Sequence, residues 1–299
     1  MCAALPKATK SLADAFLLMK RTNGCTEWTL TTYEKWLPLL AAAYPSVNDL
    51  DPLSLTTFFS ELRARHLAPV TVHQAYRHIR AFLKWLMLMK VITEYPLAGV
   101  EMRTPKVLPT VPTDEEIRAV VKACPETMTG RRNKALILTM VDTGVRNAET
   151  RSLLIESVDW TGPRIIVRQG KGRKDRVVSL NAVTVRALKR WLEVHPDPYP
   201  QNYLFTYEDG RPMTEFGLGQ ILRRLSDKAK LPKERWLHPH ALRHAACVSW
   251  IKAGVPLEIC RRLMGHASLH TVLIYANLTS TDVMAAHRKA SAIERMALE

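Results

Sequence analysis

The sequence predicts a mainly α fold of the α+β type. It pairs an all-helical N-terminal domain with a mostly helical C-terminal domain that carries a small antiparallel β-sheet. Three observations carry this reading. Apolar residues recur at helical spacing through the first hundred positions. A proline-bearing break follows at 104–113. Beyond it, two short β-prone runs flank a basic, glycine-containing loop inside an otherwise helical pattern.

In the first domain, 1–103, the clearest element is Thr71–Lys90. Val72, Tyr76, Ile79, Leu83 and Leu86 fall on one stripe, as a half-buried helix requires. His73, Arg77, Arg80 and Lys84 follow a neighbouring stripe at the same spacing, so the helix packs one face and presents positive charge on the next. A solvated basic face is the plainer explanation of that second stripe. Leu12–Met19, Trp28–Tyr44 and Ser54–His66 read as three further amphipathic helices. Pro105, Pro109 and Pro112 then deny regular structure to 104–113, which reads as a linker.

The second domain, 114–299, opens on a capping box. Thr113 and Glu116 stand three apart before Ile117, Val120 and Val121. Arg131–Thr143 reads as a helix stopped by Gly144. Ile165–Arg168 and Arg176–Leu180 read as the two strands of a hairpin around Gln169–Asp175. Helices are expected at Ala182–Val194, Glu215–Ala229, His240–Ala253, Pro256–Met264, Leu269–Tyr275 and Thr281–Met296.

Lys and Arg number 43 against 28 Asp and Glu, a net charge of +15 in 299 residues. A surplus of this size favours a polyanionic partner, nucleic acid first among them. The five cysteines are scattered and form no C-x-x-C pair, which argues against a disulfide framework or a cysteine-rich zinc site and fits a reducing cytoplasm. No apolar run approaches the roughly 20 residues that span a bilayer, and the N-terminus has no secretory layout. A cytoplasmic protein without a membrane partner is expected.

Five local features can bear chemistry. Thr143-Gly-Val-Arg146-Asn-Ala-Glu149 places an arginine just past a helix stop; a surface pair with Glu149 is the plain alternative. Lys171 sits on the hairpin loop, where it can meet a phosphate, though Arg173, Lys174 and Arg176 also make the loop generically basic. His240 and Arg243 are three apart and share a helix face, which suits an arginine holding phosphate beside a proton-moving histidine. His238, His240 and His244 raise zinc, but no glutamate lies between His240 and His244 as a metalloprotease helix requires, and no metal is expected. Gly265-His266 and, nine residues later, Tyr275 complete the set; alone, each reads as structural.

Taken in order, Arg146, Lys171, His240-x-x-Arg243, Gly265-His266 and Tyr275 resemble the catalytic set of the tyrosine recombinase, or phage integrase, family. The local contexts match as well: Thr-Gly-x-Arg-x-x-Glu, Gly-Lys-Gly-x-Lys-x-Arg, His-x-Leu-Arg-His and Gly-His before Tyr. Thr29-Leu30-x-x-Tyr33 and Thr71–Leu86 look like helices of that family's core-binding domain. The resemblance therefore covers nearly the whole chain, in the short two-domain layout of chromosome-resolving or simple mobile-element members. One departure is Tyr275-Ala276-Asn277, where many members have Tyr-x-His.

The resemblance implies a site-specific recombinase that cuts and rejoins duplex DNA through a 3′-phosphotyrosyl intermediate, without metal, nucleotide or other cofactor. Tyr275 is the implied nucleophile. Arg146 and Arg243 are implied to grip the scissile phosphate, Lys171 to protonate the leaving 5′ oxygen, His240 to assist proton transfer at the tyrosine, and His266 to bond the phosphate. Glu149 is assigned to orienting its basic neighbours. Arg77, Arg80, Lys84, Arg173 and Lys174 are the candidate DNA-binding residues outside the catalytic set. The implied partners are double-stranded DNA with an inverted-repeat site, clamped between the two domains, and a homo-tetramer on two such sites, with the helix at Thr281–Met296 docked on a neighbouring protomer. Two alternatives stay open: type IB topoisomerase-like relaxation of DNA, and a catalytically silent DNA-binding protein on the same fold.

Overall fold

The computed structural model describes residues 7–102, 109–168, 175–196, 202–265, 268–269 and 272–275. The chain divides into two compact units, Met1–Val107 and Leu108–Glu299.

The first unit holds four helices, α1 (Thr9–Thr22), α2 (Glu27–Ala43), α3 (Pro52–Ala64) and α4 (Pro69–Leu88). Local chemistry sets their starts. The Thr26 hydroxyl accepts from the Thr29 N–H, and Asp51 and Ser54 cap α3 reciprocally. Pro52 and Pro69 each open a helix, where a missing N–H costs nothing. Pro38 lies inside α2 on its exposed side, so the carbonyl it leaves unpaired meets water rather than the core. The stripe Val72, Tyr76, Ile79, Leu83 and Leu86 is buried as expected, against Leu12, Phe16, Trp36, Leu37 and Phe59. Phe16 anchors the centre, edge-on to Tyr33 at 5.1 Å and to Phe82 at 5.5 Å between ring centroids.

The second unit holds α5 (Asp114–Lys122), α6 (Met128–Thr143), α7 (Asn147–Ser152), α8 (Ala182–Leu192), α9 (Glu215–Lys228), α10 (Pro239–Lys252) and α11 (Leu257–Met264). Residues 272–275 are helical as well. Three short strands, β1 (Val158–Asp159), β2 (Arg164–Val167) and β3 (Arg176–Ser179), form one antiparallel sheet in the order β1-β2-β3. In it Ile165 pairs with Val158 on one side and Val178 on the other. The capping box at Thr113 and Glu116 forms, and Glu116 also takes two N–H donors from Arg235, which ties α5 to the segment before α10. Helix α6 is the central element, packed on α8 and α10. Its first turn presses so closely on Pro125 that a Cβ at Gly130 would sit 1.7 Å from the Pro125 carbonyl oxygen. The buried Trp191 indole satisfies its N–H on the Leu204 carbonyl at 2.7 Å.

Candidate active site

The site starts at the end of α6. Gly144 adopts φ 61°, the left-handed geometry that stops the helix, and a Cβ there would meet Trp250 at 3.0 Å and Met264 at 3.1 Å. The chain turns at once into α7, with Arg146 as its N-cap residue. The Arg146 N–H donates to Glu149 Oε2 at 2.7 Å, and its guanidinium donates to Glu149 Oε1 at 2.7 Å and to the Gly265 carbonyl at 2.6 Å. The pair with Glu149 thus exists, but it is part-buried rather than on the surface, and a second bond from the same guanidinium draws Arg146 to the end of α11.

Two more arginines meet there. Arg176 lies on the inward face of β3 and is buried. It donates to the Leu263 carbonyl at 2.8 Å and to both Glu149 oxygens, at 3.0 and 2.6 Å. Arg243, buried on α10, donates to the carbonyls of Gly144 and Met264 and lies 3.9 Å from Glu149. Three guanidiniums therefore close on one carboxylate and on the successive carbonyls of Leu263, Met264 and Gly265. Those carbonyls, which have no partner within the helix, are the partly negative end of α11. Three positive charges and one negative leave the cluster at +2, which holds together without a ligand and still attracts an anion.

Titration follows from that arrangement. Burial alone would raise the Glu149 carboxyl, but the guanidiniums of Arg176 and Arg146 hold it down at about 2. Burial and the nearby Arg146 charge pull Arg243 down to about 9, still protonated at neutral pH. His240 is lowered by burial, then by Arg243 and Arg146. Each of these basic groups carries a penalty that a phosphate would relieve.

Tyr275 is buried, and its hydroxyl lies 2.6 Å from His244 Nδ1. Burial and the neighbouring Cys247 push the phenol up to about 12, with Arg243 opposing. His244 is pulled down to about 4 by burial, then by His240, His238 and Arg243. At neutral pH both partners are uncharged. His240 stands one helical turn before His244, the rings edge-on at 6.4 Å. His238 serves a different end, its ring nitrogen accepting the Ala241 N–H as the cap of α10. Among the described residues no group of three or more His, Cys, Asp or Glu side chains is arranged to hold a metal ion, and no helix is long and apolar enough to cross a membrane.

The structure thus gathers Arg146, Glu149, His240, Arg243 and Tyr275 in one region. Lys171, Arg173, Lys174 and His266 lie outside the described residues, as does Thr281–Met296. In the first unit Arg77, Arg80 and Lys84 are exposed along α4 and His73 is half-buried beside them. Two residues join the site that the sequence reading named in its motifs but gave no role there: Arg176 and His244. Both carry a signal. Arg176 precedes the buried Val178 by two, so strand alternation turns it inward. His244 follows His240 by four on one helix, so the two share a face.

A fold with a small three-stranded sheet among helices, and a carboxylate-braced arginine cluster beside a buried tyrosine, fits an enzyme acting on phosphodiesters. Residues 111–281 match the family model described as the phage integrase family. The chain belongs to that family and is a tyrosine-type site-specific DNA recombinase. It is 30% identical over 253 residues to tyrosine recombinase XerC 2 of Ralstonia nicotianae, covering 79% of this chain and 72% of that one. It is 28% identical over 244 residues to tyrosine recombinase XerC of Lacticaseibacillus casei, covering 79% and 81%. Among solved structures, the Tn1549 transposon integrase in complex with a circular intermediate DNA superposes with a TM-score of 0.79 at 19% identity, covering 98% of this chain and all of that one. The XerH recombinase bound to palindromic difH substrate gives 0.74 at 23% identity, covering 96% and 85%. At those identities the two structures establish the fold.

Proposed function

We propose that Tyr275 is the nucleophile and that Arg146 and Arg243 hold the scissile phosphate of duplex DNA. The supporting observation is the +2 cluster of Arg146, Arg176 and Arg243 around Glu149, with Tyr275 bonded to the residue that follows Arg243. Arginine suits the task because its planar, permanently charged fork meets two nonbridging oxygens at once. Charge grows on those oxygens in the transition state, where fixed donors stabilise it most. Glu149 keeps the guanidiniums from repelling one another, and Arg176, locked on both of its oxygens, ties β3 to the end of α11.

In the forward step the Tyr275 oxygen bonds to phosphorus and the bond to the 5′ oxygen breaks. The leaving oxygen takes a proton, which the resemblance assigns to Lys171. The products are a 3′-phosphotyrosyl ester and a free 5′ hydroxyl. One phosphodiester replaces another, so religation needs no ATP. Attack by the partner strand's 5′ hydroxyl exchanges strands. The resemblance gives His240 to proton transfer at the tyrosine, and His266 is the candidate for a further bond to the phosphate. Arg77, Arg80 and Lys84 are the candidates for backbone contacts from the first unit.

The XerH structure holds palindromic difH DNA and the Tn1549 structure a circular intermediate DNA. By analogy the target here is an inverted repeat, the active species a tetramer on two such sites in the cytoplasm, and the setting chromosome resolution or a mobile element. The test is covalent capture. The protein is incubated with sheared DNA from its own source and denatured, and protein-linked fragments are sequenced at their ends, with Tyr275→Phe in parallel. Adducts from the wild type alone, clustered at one inverted repeat, are expected. Adducts scattered without sequence preference would support topoisomerase-like relaxation instead.

A further inference from the structure

The resemblance gives proton transfer at the tyrosine to His240, yet the side chain in contact with the phenol is His244. Its Nδ1 lies 2.6 Å from the Tyr275 oxygen, with ring centroids 5.2 Å apart. We propose that His244 is a further catalytic residue of this recombinase: in the tautomer with its hydrogen on Nε2, it accepts the phenolic proton through Nδ1 as Tyr275 attacks, and returns it when the tyrosine leaves. The proposal rests on Tyr275 being the nucleophile.

Geometry is the first requirement of a general base, and this pair meets it directly. The surroundings then time the transfer. His238, His240 and Arg243 face His244, while Cys247 and Arg243 face Tyr275. Burial first, then these neighbours, holds the imidazole at about 4, and burial, then Cys247, holds the phenol at about 12. The two shifts run in opposite directions, and both keep the phenol protonated and the imidazole neutral. A phosphate bound to Arg146 and Arg243 offsets the Arg243 charge and raises the proton affinity of the imidazole. Bonding of the phenolic oxygen to phosphorus makes its proton acidic. Burial is the main reason that His244 stays neutral, with the neighbouring charges adding to it; a bound phosphate eases the electrostatic part and so favours the transfer. The step balances: one proton passes from Tyr275 to Nδ1, the oxygen–phosphorus bond forms, and the departing 5′ oxygen is protonated separately.

The test separates taking a proton from holding a hydroxyl. His244→Asn puts an amide oxygen near the place of Nδ1, so it can accept the bond but cannot take the proton. His244→Gln is the second variant should Asn fail to fold, and folding and DNA retention are checked for each. The readout is the rate of covalent adduct formation on sheared DNA from the source. The variant is expected to cleave ~10²–10⁴-fold more slowly, the usual contribution of a general base. Replacing Tyr275 by a trifluorinated tyrosine, whose phenol ionises near neutrality, is expected to recover most of that loss. Wild-type rates in His244→Asn, or no recovery on fluorination, would overturn the assignment. Adducts persisting in Tyr275→Phe would instead remove the nucleophile itself, an outcome distinct from both.

Discussion

Glu149→Gln removes the one negative charge among Arg146, Arg176 and Arg243 while keeping shape. The size of the effect follows from the carboxyl itself, which is held at about 2 against an ordinary 4.5. A depression of this size corresponds to about 3 kcal/mol of stability at neutral pH. The sign is that of a lowered carboxylate: the contribution is complete above pH 4.5 and fades as pH falls towards 2. Integrating the linkage, about half of it is gone by pH 3. The group is largely buried, at 12% side-chain exposure, so solvent screening takes little of this. For a unit of this size the Gln variant should melt roughly 6–12 °C below the wild type at pH 7, and by about half that margin at pH 3. Thermal unfolding followed by circular dichroism, both proteins side by side at each pH, measures it. A gap under about 2 °C at pH 7, or one that stays constant down to pH 3, would refute the claim that Glu149 is braced by its arginines.

Gly144→Ala forces a side chain into φ 61° against Trp250 and Met264; a loss of about 1–2 kcal/mol from the backbone alone is expected, read as a lower Tm, together with slower cleavage because the Gly144 carbonyl holds Arg243. Arg146→Lys keeps the charge but loses the fork that spans Glu149 and Gly265, so adduct formation should fall at least ~10²-fold with DNA retention nearly unchanged; equal losses in both would make Arg146 a binding residue only. Replacing Arg77, Arg80 and Lys84 together with alanine should flatten the log–log salt dependence of DNA binding by up to about 2.7, at about 0.9 for each phosphate no longer neutralised, measured by fluorescence anisotropy on duplex DNA; an unchanged slope would mark that face of α4 as merely solvated.

Much of the fold was legible because long helices declare themselves by period. The stripe from Val72 to Leu86 is buried along its length, and the Thr113–Glu116 box forms as its spacing requires. What escaped was short. Helix α7 has six residues and buries Thr150 alone, and β1 has two residues, so neither carries a hydrophobic period. The site was legible as a set of residue types in order, but not as a network. Sequence presents Arg146 with Glu149 as either surface pair or functional residue, and the structure shows that one guanidinium makes the pair and the contact with Gly265 at once. The contact between His244 and Tyr275 spans 31 positions. Helical periodicity puts His244 beside His240 but does not say which of the two the tyrosine meets.

During cleavage the phenolic oxygen of Tyr275 is expected to become bonded to DNA. The most direct measurement is mass spectrometry of captured protein–DNA adducts after nuclease and trypsin digestion. The tryptic peptide Leu263–Arg288 contains one tyrosine, so the site of attachment can be read unambiguously from its fragments. A nucleotide remnant on Tyr275, lost in Tyr275→Phe, is expected. A remnant on any other residue, or adducts that survive the substitution, would contradict that expectation.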